Sequence, residues 1–236
     1  MAQFELTQGQ DPFLHISLSK GETIFAESDA MVMMDATLDL EASMQGGFFK
    51  SMARKFANDS SFFRQKVTAE RGDGDILLAP KFSGNIEIID IDRNNEYYLN
   101  DGVHIASQDT IQMDAVTQGV FKAMAGGTGG FFITHAYGHG KIAVGSYGDI
   151  FALDIDESTP RLIDNNHVVA WSTTLQYSLS ASTSQKKGFI GNLVNSQLTG
   201  EAMITKFSGR GRVYICSRNK IDFAAWIASL LPTQNN

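Results

Sequence analysis

The sequence predicts an all-β chain with short helical inserts and one C-terminal helix. Three observations predict it. A partly apolar run, a Gly-X-Gly and a β-rich run recur along the chain. The unit is clearest as Phe132-Ile-Thr-His-Ala-Tyr-Gly138-His-Gly140 and as Met203-Ile-Thr-Lys-Phe-Ser-Gly209-Arg-Gly211, with a looser copy at Gly72-Asp73-Gly74. Segments 84–92 and 148–156 align without a gap and agree at five of nine positions. Period-two alternation dominates, as in Thr37-Leu-Asp-Leu-Glu-Ala42 and Thr174-Leu-Gln-Tyr-Ser-Leu179, the pattern of strands with one wet face. Recurrence at this spacing implies three internal repeats, of about 1–93, 94–158 and 159–236. A unit that small buries too little alone. The three are therefore expected to pack as one domain over 1–236, each as a β-sandwich or double-stranded-helix-like unit.

In chain order, residues 4–18 read as two short strands around the turn cluster Gly9-Gln-Asp-Pro12. β segments follow at 23–27 and 30–34, then the alternating run at 37. Gly46 to Phe56 places apolar side chains at 49, 52 and 56 among Lys50, Arg54 and Lys55, which predicts a short amphipathic helix. A similar glycine and aromatic element recurs at 119–130 and at 188–194. Each Gly-X-Gly is expected to be a positive-φ turn at the centre of a hairpin. Ile221 to Leu231 is apolar at 223, 226, 227, 230 and 231 and is stopped by Pro232, so a helix closes the chain.

The chain has 236 residues, is 43% apolar and carries a net charge of −7. That charge repels phosphates, so no nucleic-acid partner is expected. The single cysteine, Cys216, cannot form an intramolecular disulfide. It suits a reducing cytoplasm, where the protein is expected. No run approaches the roughly 18 apolar residues that span a bilayer, and the N-terminus lacks a signal-peptide pattern.

No motif supplies catalytic chemistry. Gly-X-Gly is not followed by a helix, as a phosphate loop requires. Asp90/Asp92 and Asp154/Asp156 could in principle share a cation across alternate positions, but solvated strand-end acids account for them. His135 and His139 are separated by the Gly-X-Gly, and Lys206 and Arg210 replace them in the third copy. Gly145-Ser-Tyr-Gly148 is one residue short of a nucleophile elbow. No catalytic residue, metal site or cofactor is expected. The candidate interaction surface is the set of apolar stripes on the inserts: Phe48, Phe49, Met52 and Phe56, then Phe121 and Met124, then Phe189 and Leu193. Such stripes cap a β core, fill a subunit interface, or lie on a membrane surface.

Several segments also resemble a known family. Gly21-Glu22-Thr-Ile-Phe-Ala-Glu-Ser-Asp-Ala30-Met-Val-Met-Met-Asp35 is similar to its N-terminal signature. Asp164-Asn-Asn-His167-Val-Val-Ala170-Trp171, and the stretch from Gly138-X-Gly140 to Tyr147-Gly148-Asp-Ile150, are similar to two later segments. The family is the "altered inheritance of mitochondria" type, widespread in bacteria. The resemblance implies a fold like that of the tryptophan RNA-binding attenuation protein, whose small β units assemble in rings, and a homotrimer of nine such units. It implies no enzymatic activity. The expected function is thus a soluble, non-enzymatic, homo-oligomeric β scaffold. The alternatives are a small-ligand-binding protein with its site between repeats, and a peripheral membrane or stress-related factor using the inserts.

Overall fold

A computed structural model describes residues 1–43, 64–116, 133–181 and 203–231. These hold nineteen strands and one α-helix. The first strands are β1 (Gln3–Leu6), β2 (Leu14–Leu18), β3 (Thr23–Glu27), β4 (Met31–Met34), β5 (Asp39–Ser43), β6 (Arg64–Thr68) and β7 (Gly74–Leu78). Then come β8 (Ile86–Ile91), β9 (Tyr97–Leu99), β10 (His104–Gln108), β11 (Ile111–Ala115), β12 (Thr134–Gly138) and β13 (Gly140–Gly145). The last are β14 (Ile150–Ile155), β15 (Arg161–Asp164), β16 (Val168–Ser172), β17 (Gln176–Ala181), β18 (Met203–Ser208) and β19 (Gly211–Cys216). The helix, α1, spans Lys220–Leu230. The expected all-β class with a C-terminal helix is what the chain adopts. The three predicted inserts, with Phe48, Phe49, Met52, Phe56, Phe121, Met124, Phe189 and Leu193, lie outside the described residues.

The strands form four sheets with the orders β1-β2-β7-β4, β5-β6-β3-β10-β13-β8, β11-β12-β9-β16-β19-β14 and β15-β18-β17. The third order is the second with every strand advanced by six. Every pairing between neighbouring strands is antiparallel. The correspondence extends to irregularities. Register shifts occur in β4 between Met31 and Met33, in β10 between His104 and Ala106, and in β16 between Val168 and Ala170. Each is a β-bulge, one extra residue against the partner strand. The gap-free alignment of 84–92 with 148–156 holds in space, because Ile86 and Ile150 take the same position against β13 and β19.

The Gly-X-Gly units are not hairpin turns. β6 and β7, β12 and β13, and β18 and β19 lie in different sheets and do not pair with each other. The glycines instead turn the chain out of one sheet and into another. Gly138 (φ 117°), Gly140 (φ 144°) and Gly209 (φ 98°) take positive φ, open to glycine at little cost. Gly72, Gly74 and Gly211 are not among the positive-φ glycines. A Cβ on Gly138 would stand 2.5 Å from the carbonyl oxygen of Thr110, so this corner excludes any side chain.

Alternation places one face of each strand in an apolar cluster. The first cluster joins Leu14, Ile16 and Leu18 of β2 to Ile24, Val67, Ile76 and Leu78. The second joins Ile89 and Ile91 to Leu99, Ile111, Ile142 and Val144. The third joins Val168, Trp171, Leu175, Phe207 and Val213. Each fully buried Ile or Leu contributes about 1.5–3 kcal/mol relative to an exposed one. Gln108 ties down the N-terminus. Its side-chain amide donates to the carbonyl of Ala2 (2.8 Å), and its Oε1 accepts from the N–H of Lys141 (2.9 Å).

α1 begins at Asn219, whose Oδ1 accepts from the N–H groups of Ile221 (2.9 Å) and Asp222 (3.3 Å), an N-cap. None of its residues is buried. Trp226 is 56% exposed and Leu230 63%. Only its base is anchored, by the Phe223 ring 5.4 Å from Tyr147.

Candidate functional site

β3 and β9 end at a common cleft of about 420 Å3, and residues directly after β15 also line it. The wall near β3 carries Glu27 and Asp29; that near β9 carries Asn100 and Asp101; the third carries Asn165 and Asn166. Basic residues arrive from the segments after β7 and β19, as Lys81, Arg218 and Lys220. The Arg218 guanidinium lies 5.7 Å over the ring of Tyr147, and the Lys220 ammonium donates to the Asp101 carbonyl (3.4 Å).

Two titratable groups in this wall are strongly perturbed. Burial is the main cause that raises the Glu27 carboxyl to about 7; Asp29 and Asp101 add to it, and Arg64 and Lys81 oppose it. Burial holds the His104 imidazole down at about 3, with the nearby Arg64 charge adding to the effect. His104 is therefore neutral at physiological pH, and both of its ring nitrogens are sealed from solvent with no hydrogen-bond partner among the described residues. Arg64 faces Glu27 across the β3–β6 pair. Its Nη1 donates to the Met113 sulfur (3.2 Å), and its guanidinium lies 5.6 Å over the Phe25 ring.

His104 stands where the strand pattern breaks. It opens the bulge of β10, at the position Met31 holds in β4 and Val168 in β16. Glu27 has a parallel history. Ala26 faces Ala106 as Leu99 faces Ala170, so Glu27 corresponds to Asn100. On β15 the equivalent residue is Asp164, so a carboxyl stands there too, whereas the imidazole of His104 is matched by neither Met31 nor Val168. Together Glu27 and His104 make a polar wall with a neutral imidazole and a carboxyl that exchanges its proton near neutral pH. The nucleophile candidates nearby are engaged otherwise. Burial raises the Cys216 thiol, which donates to the Arg218 carbonyl (3.3 Å). The Ser146 hydroxyl donates to the Gly148 carbonyl (2.9 Å).

The remaining sequence candidates are placed as follows. Asp90 accepts from the Lys141 ammonium (2.7 Å), and Asp154 from the Arg212 guanidinium (2.7 Å). Asp92 caps the N–H of Asn94 (2.7 Å) and Asp156 that of Ser158 (2.9 Å). The His135 imidazole meets Glu96 (2.8 Å) and stacks on Tyr137 (4.9 Å). It is not brought together with the cleft. Glu27, Arg64 and His104 escaped sequence reasoning. Glu27 and His104 sit in β-like runs, and only the pairing register shows that His104 departs from its counterparts Met31 and Val168.

A second feature is found at two of the eight sheet-edge strands among the described residues. β4 ends the first sheet and β15 ends the fourth. β4 exposes Met31 (41%), Val32 (53%) and Met33 (42%), and β15 exposes Leu162 (69%) beside Arg161; the edge strand β14 likewise exposes Phe151 (61%). No helix among the described residues is long and apolar enough to cross a membrane.

Comparison with known proteins places this geometry. A family model described as mitochondrial biogenesis AIM24 matches residues 4–218. The chain belongs to the AIM24 family. An uncharacterized protein of Streptococcus pyogenes serotype M6 is 32% identical over 233 residues, covering 96% of this chain and 90% of its own length. The X-ray crystal structure of a Streptococcus pyogenes protein superposes with a TM-score of 0.78 at 28% identity, over 98% of this chain and all of that one. AIM24 membership agrees with the signature segments around residues 21–35, 138–150 and 164–171, and it comes with no biochemical role.

Proposed function

We propose that this AIM24 protein is a non-enzymatic, homo-oligomeric β scaffold. Its chain is read as three repeats of six strands, β2–β7, β8–β13 and β14–β19. The observation that carries the proposal is the exposed apolar side chains on the edge strands β4 and β15, two of the eight edge strands among the described residues. An unpaired edge exposes a row of N–H and C=O groups ready to pair with another chain. Natural proteins blunt such edges with charge or proline, whereas β4 here presents Met31-Val32-Met33. Two unlike edges on one chain join head to tail, and head-to-tail contacts close as rings or run on as fibres. A ring of three agrees with what the family resemblance implies. Light scattering on the full chain at micromolar concentration tests the proposal. Three times the 25.8 kDa chain mass is expected, and a 25.8 kDa species rejects it.

A second reading, a small ligand held between repeats, is favoured by the cleft at Glu27. Its walls come from all three proposed repeats and its polar groups converge. Soaking crystals of the full chain in a fragment library tests it. Density in the cleft contacting Glu27 or Asp101 supports the reading, and fragments found only elsewhere count against it.

A further inference from the structure

Three strand pairs share one register, and only one of them carries aromatic rings at its wet end. Thr37-Leu38, Thr110-Ile111 and Thr174-Leu175 lead into β5, β11 and β17, each with its apolar residue buried. Asp39 then stands opposite Thr68, Gln112 opposite Tyr137 and Gln176 opposite Ser208. Two residues on, Glu41 stands opposite Lys66, Asp114 opposite His135 and Ser178 opposite Lys206. Residues two apart on a strand share a face, so His135 and Tyr137 sit side by side. The first and last pairs hold a lysine and a small hydroxyl in those places. The backbone therefore requires neither ring.

Both rings are held in place. The His135 imidazole meets Oε2 of Glu96 (2.8 Å) and is backed by Tyr98, with ring centroids 5.3 Å apart. The Tyr137 ring stacks on His135 at 4.9 Å and 29°, and its hydroxyl donates to Oδ2 of Asp114 (2.8 Å). Tyr137 and Glu96 line a second cleft, of about 720 Å3, with Asp92, Arg93, Asn94 and His139. His135 is not part of that lining. It supports the ring from outside the cleft, and the ring surface turned to the cleft is the one His135 leaves open. Arg93, Asn94 and His139 are exposed, and their side chains make no hydrogen bond or ion pair among the described residues.

We propose that this cleft binds a neutral saccharide, with Tyr137 as the ring on which it stacks. A pyranose has an apolar C–H face and a rim of hydroxyls. The C–H face packs on the electron-rich face of an aromatic ring. The hydroxyls donate to carboxylates and accept from guanidinium and amide N–H groups. Asp92 and Glu96 supply the acceptors, since Glu96 uses Oε2 on His135 and keeps Oε1. Arg93 and Asn94 supply the donors. A phosphorylated ligand fits worse, because two carboxylates line the cleft of a chain with a net charge of −7. A simple organic cation fits worse too, because Arg93 shares the cleft and a single ring is no cage. The site lies apart from the cleft at Glu27, and it stands whether the chain is a monomer or an oligomer.

Saturation-transfer difference NMR on the full chain tests it, with cellotriose, maltotriose, mannotriose and chitotriose as probes. The expected result is saturation of at least one of them, strongest at the C–H protons of one sugar face. Tyr137→Ser, the residue Ser208 already supplies in the third strand pair, should fold and bind that trisaccharide about tenfold more weakly or worse. Tyr137→Phe, which keeps the ring, should retain most of the binding. Arg93→Ala changes an exposed side chain only and should weaken binding severalfold, so it decides the matter if Tyr137→Ser does not fold. No saturation of any of the four, or equal binding by wild type and these variants, overturns the proposal. Binding of tetramethylammonium or inorganic phosphate at Tyr137 in place of the saccharides overturns it as well.

Discussion

At the scale of single residues, Glu27 and His104 make opposite demands on pH. An unfolded glutamate titrates near 4.5, whereas folded Glu27 keeps its proton up to about 7. The folded state therefore binds more protons between those values, and stability falls as pH rises from about 4.5 to 7. Glu27→Gln removes this loss. We expect the variant to melt higher than wild type at pH 8 and about equally at pH 4.5, by up to about 3 kcal/mol less the screening that water in the cleft supplies. Thermal melts at the two pH values check it. His104 works the other way. Its folded value of about 3 lies below the ordinary 6.5, so its contribution is present above pH 6.5 and is lost as pH falls towards 3. His104→Val, the residue its counterpart Val168 already carries, should fold and should lose less stability between pH 7 and pH 5 than wild type. Equal losses in the two proteins would contradict the sealed, neutral imidazole. None of this was legible in the sequence. A glutamate or a histidine in a β run looks the same whether its strand ends in solvent or in a joint.

At the scale of elements, the strands were legible because alternation reports burial directly. Thr37-Leu-Asp-Leu buries Leu38 fully, and the run at 174–179 buries Leu175 and Leu179. The connection between strands was misjudged at Gly-X-Gly. Two β runs around a glycine pair look like a hairpin, but local sequence does not say whether they pair or part into different sheets. The corner has its own signature. Gly138→Ala places a Cβ against the Thr110 carbonyl at positive φ, and we expect a loss of about 1–3 kcal/mol. The same substitution at Gly72, where a Cβ would meet only the Thr37 side chain at an ordinary 3.5 Å, should cost far less. Urea denaturation of the pair distinguishes a corner from a hairpin. The C-terminal helix was predicted from apolar spacing and from Pro232, yet that spacing does not pack against the β core. Deleting 220–236 should therefore leave the urea midpoint nearly unchanged. A large drop would mean that α1 holds the fold together.

At the scale of the molecule, the sequence repeats led to the expectation of three units, and the strand orders of the second and third sheets are offset by six. What they did not announce is that strands are traded between neighbours, so that a sheet takes half its strands from one stretch and half from the next. Among the described residues that trade leaves β4 and β15 as sheet edges, and no property of Met31-Val32-Met33 alone says so. The most direct measurement is sedimentation equilibrium on wild type, Val32→Glu and Leu162→Glu, alone and mixed. Each substitution puts a charge on one edge and leaves the other intact. The prediction is a wild-type mass of three times 25.8 kDa, a single-chain mass for each variant, and a two-chain mass for their mixture. Wild type sedimenting as a single chain, or either variant alone keeping the wild-type mass, would contradict assembly through these edges.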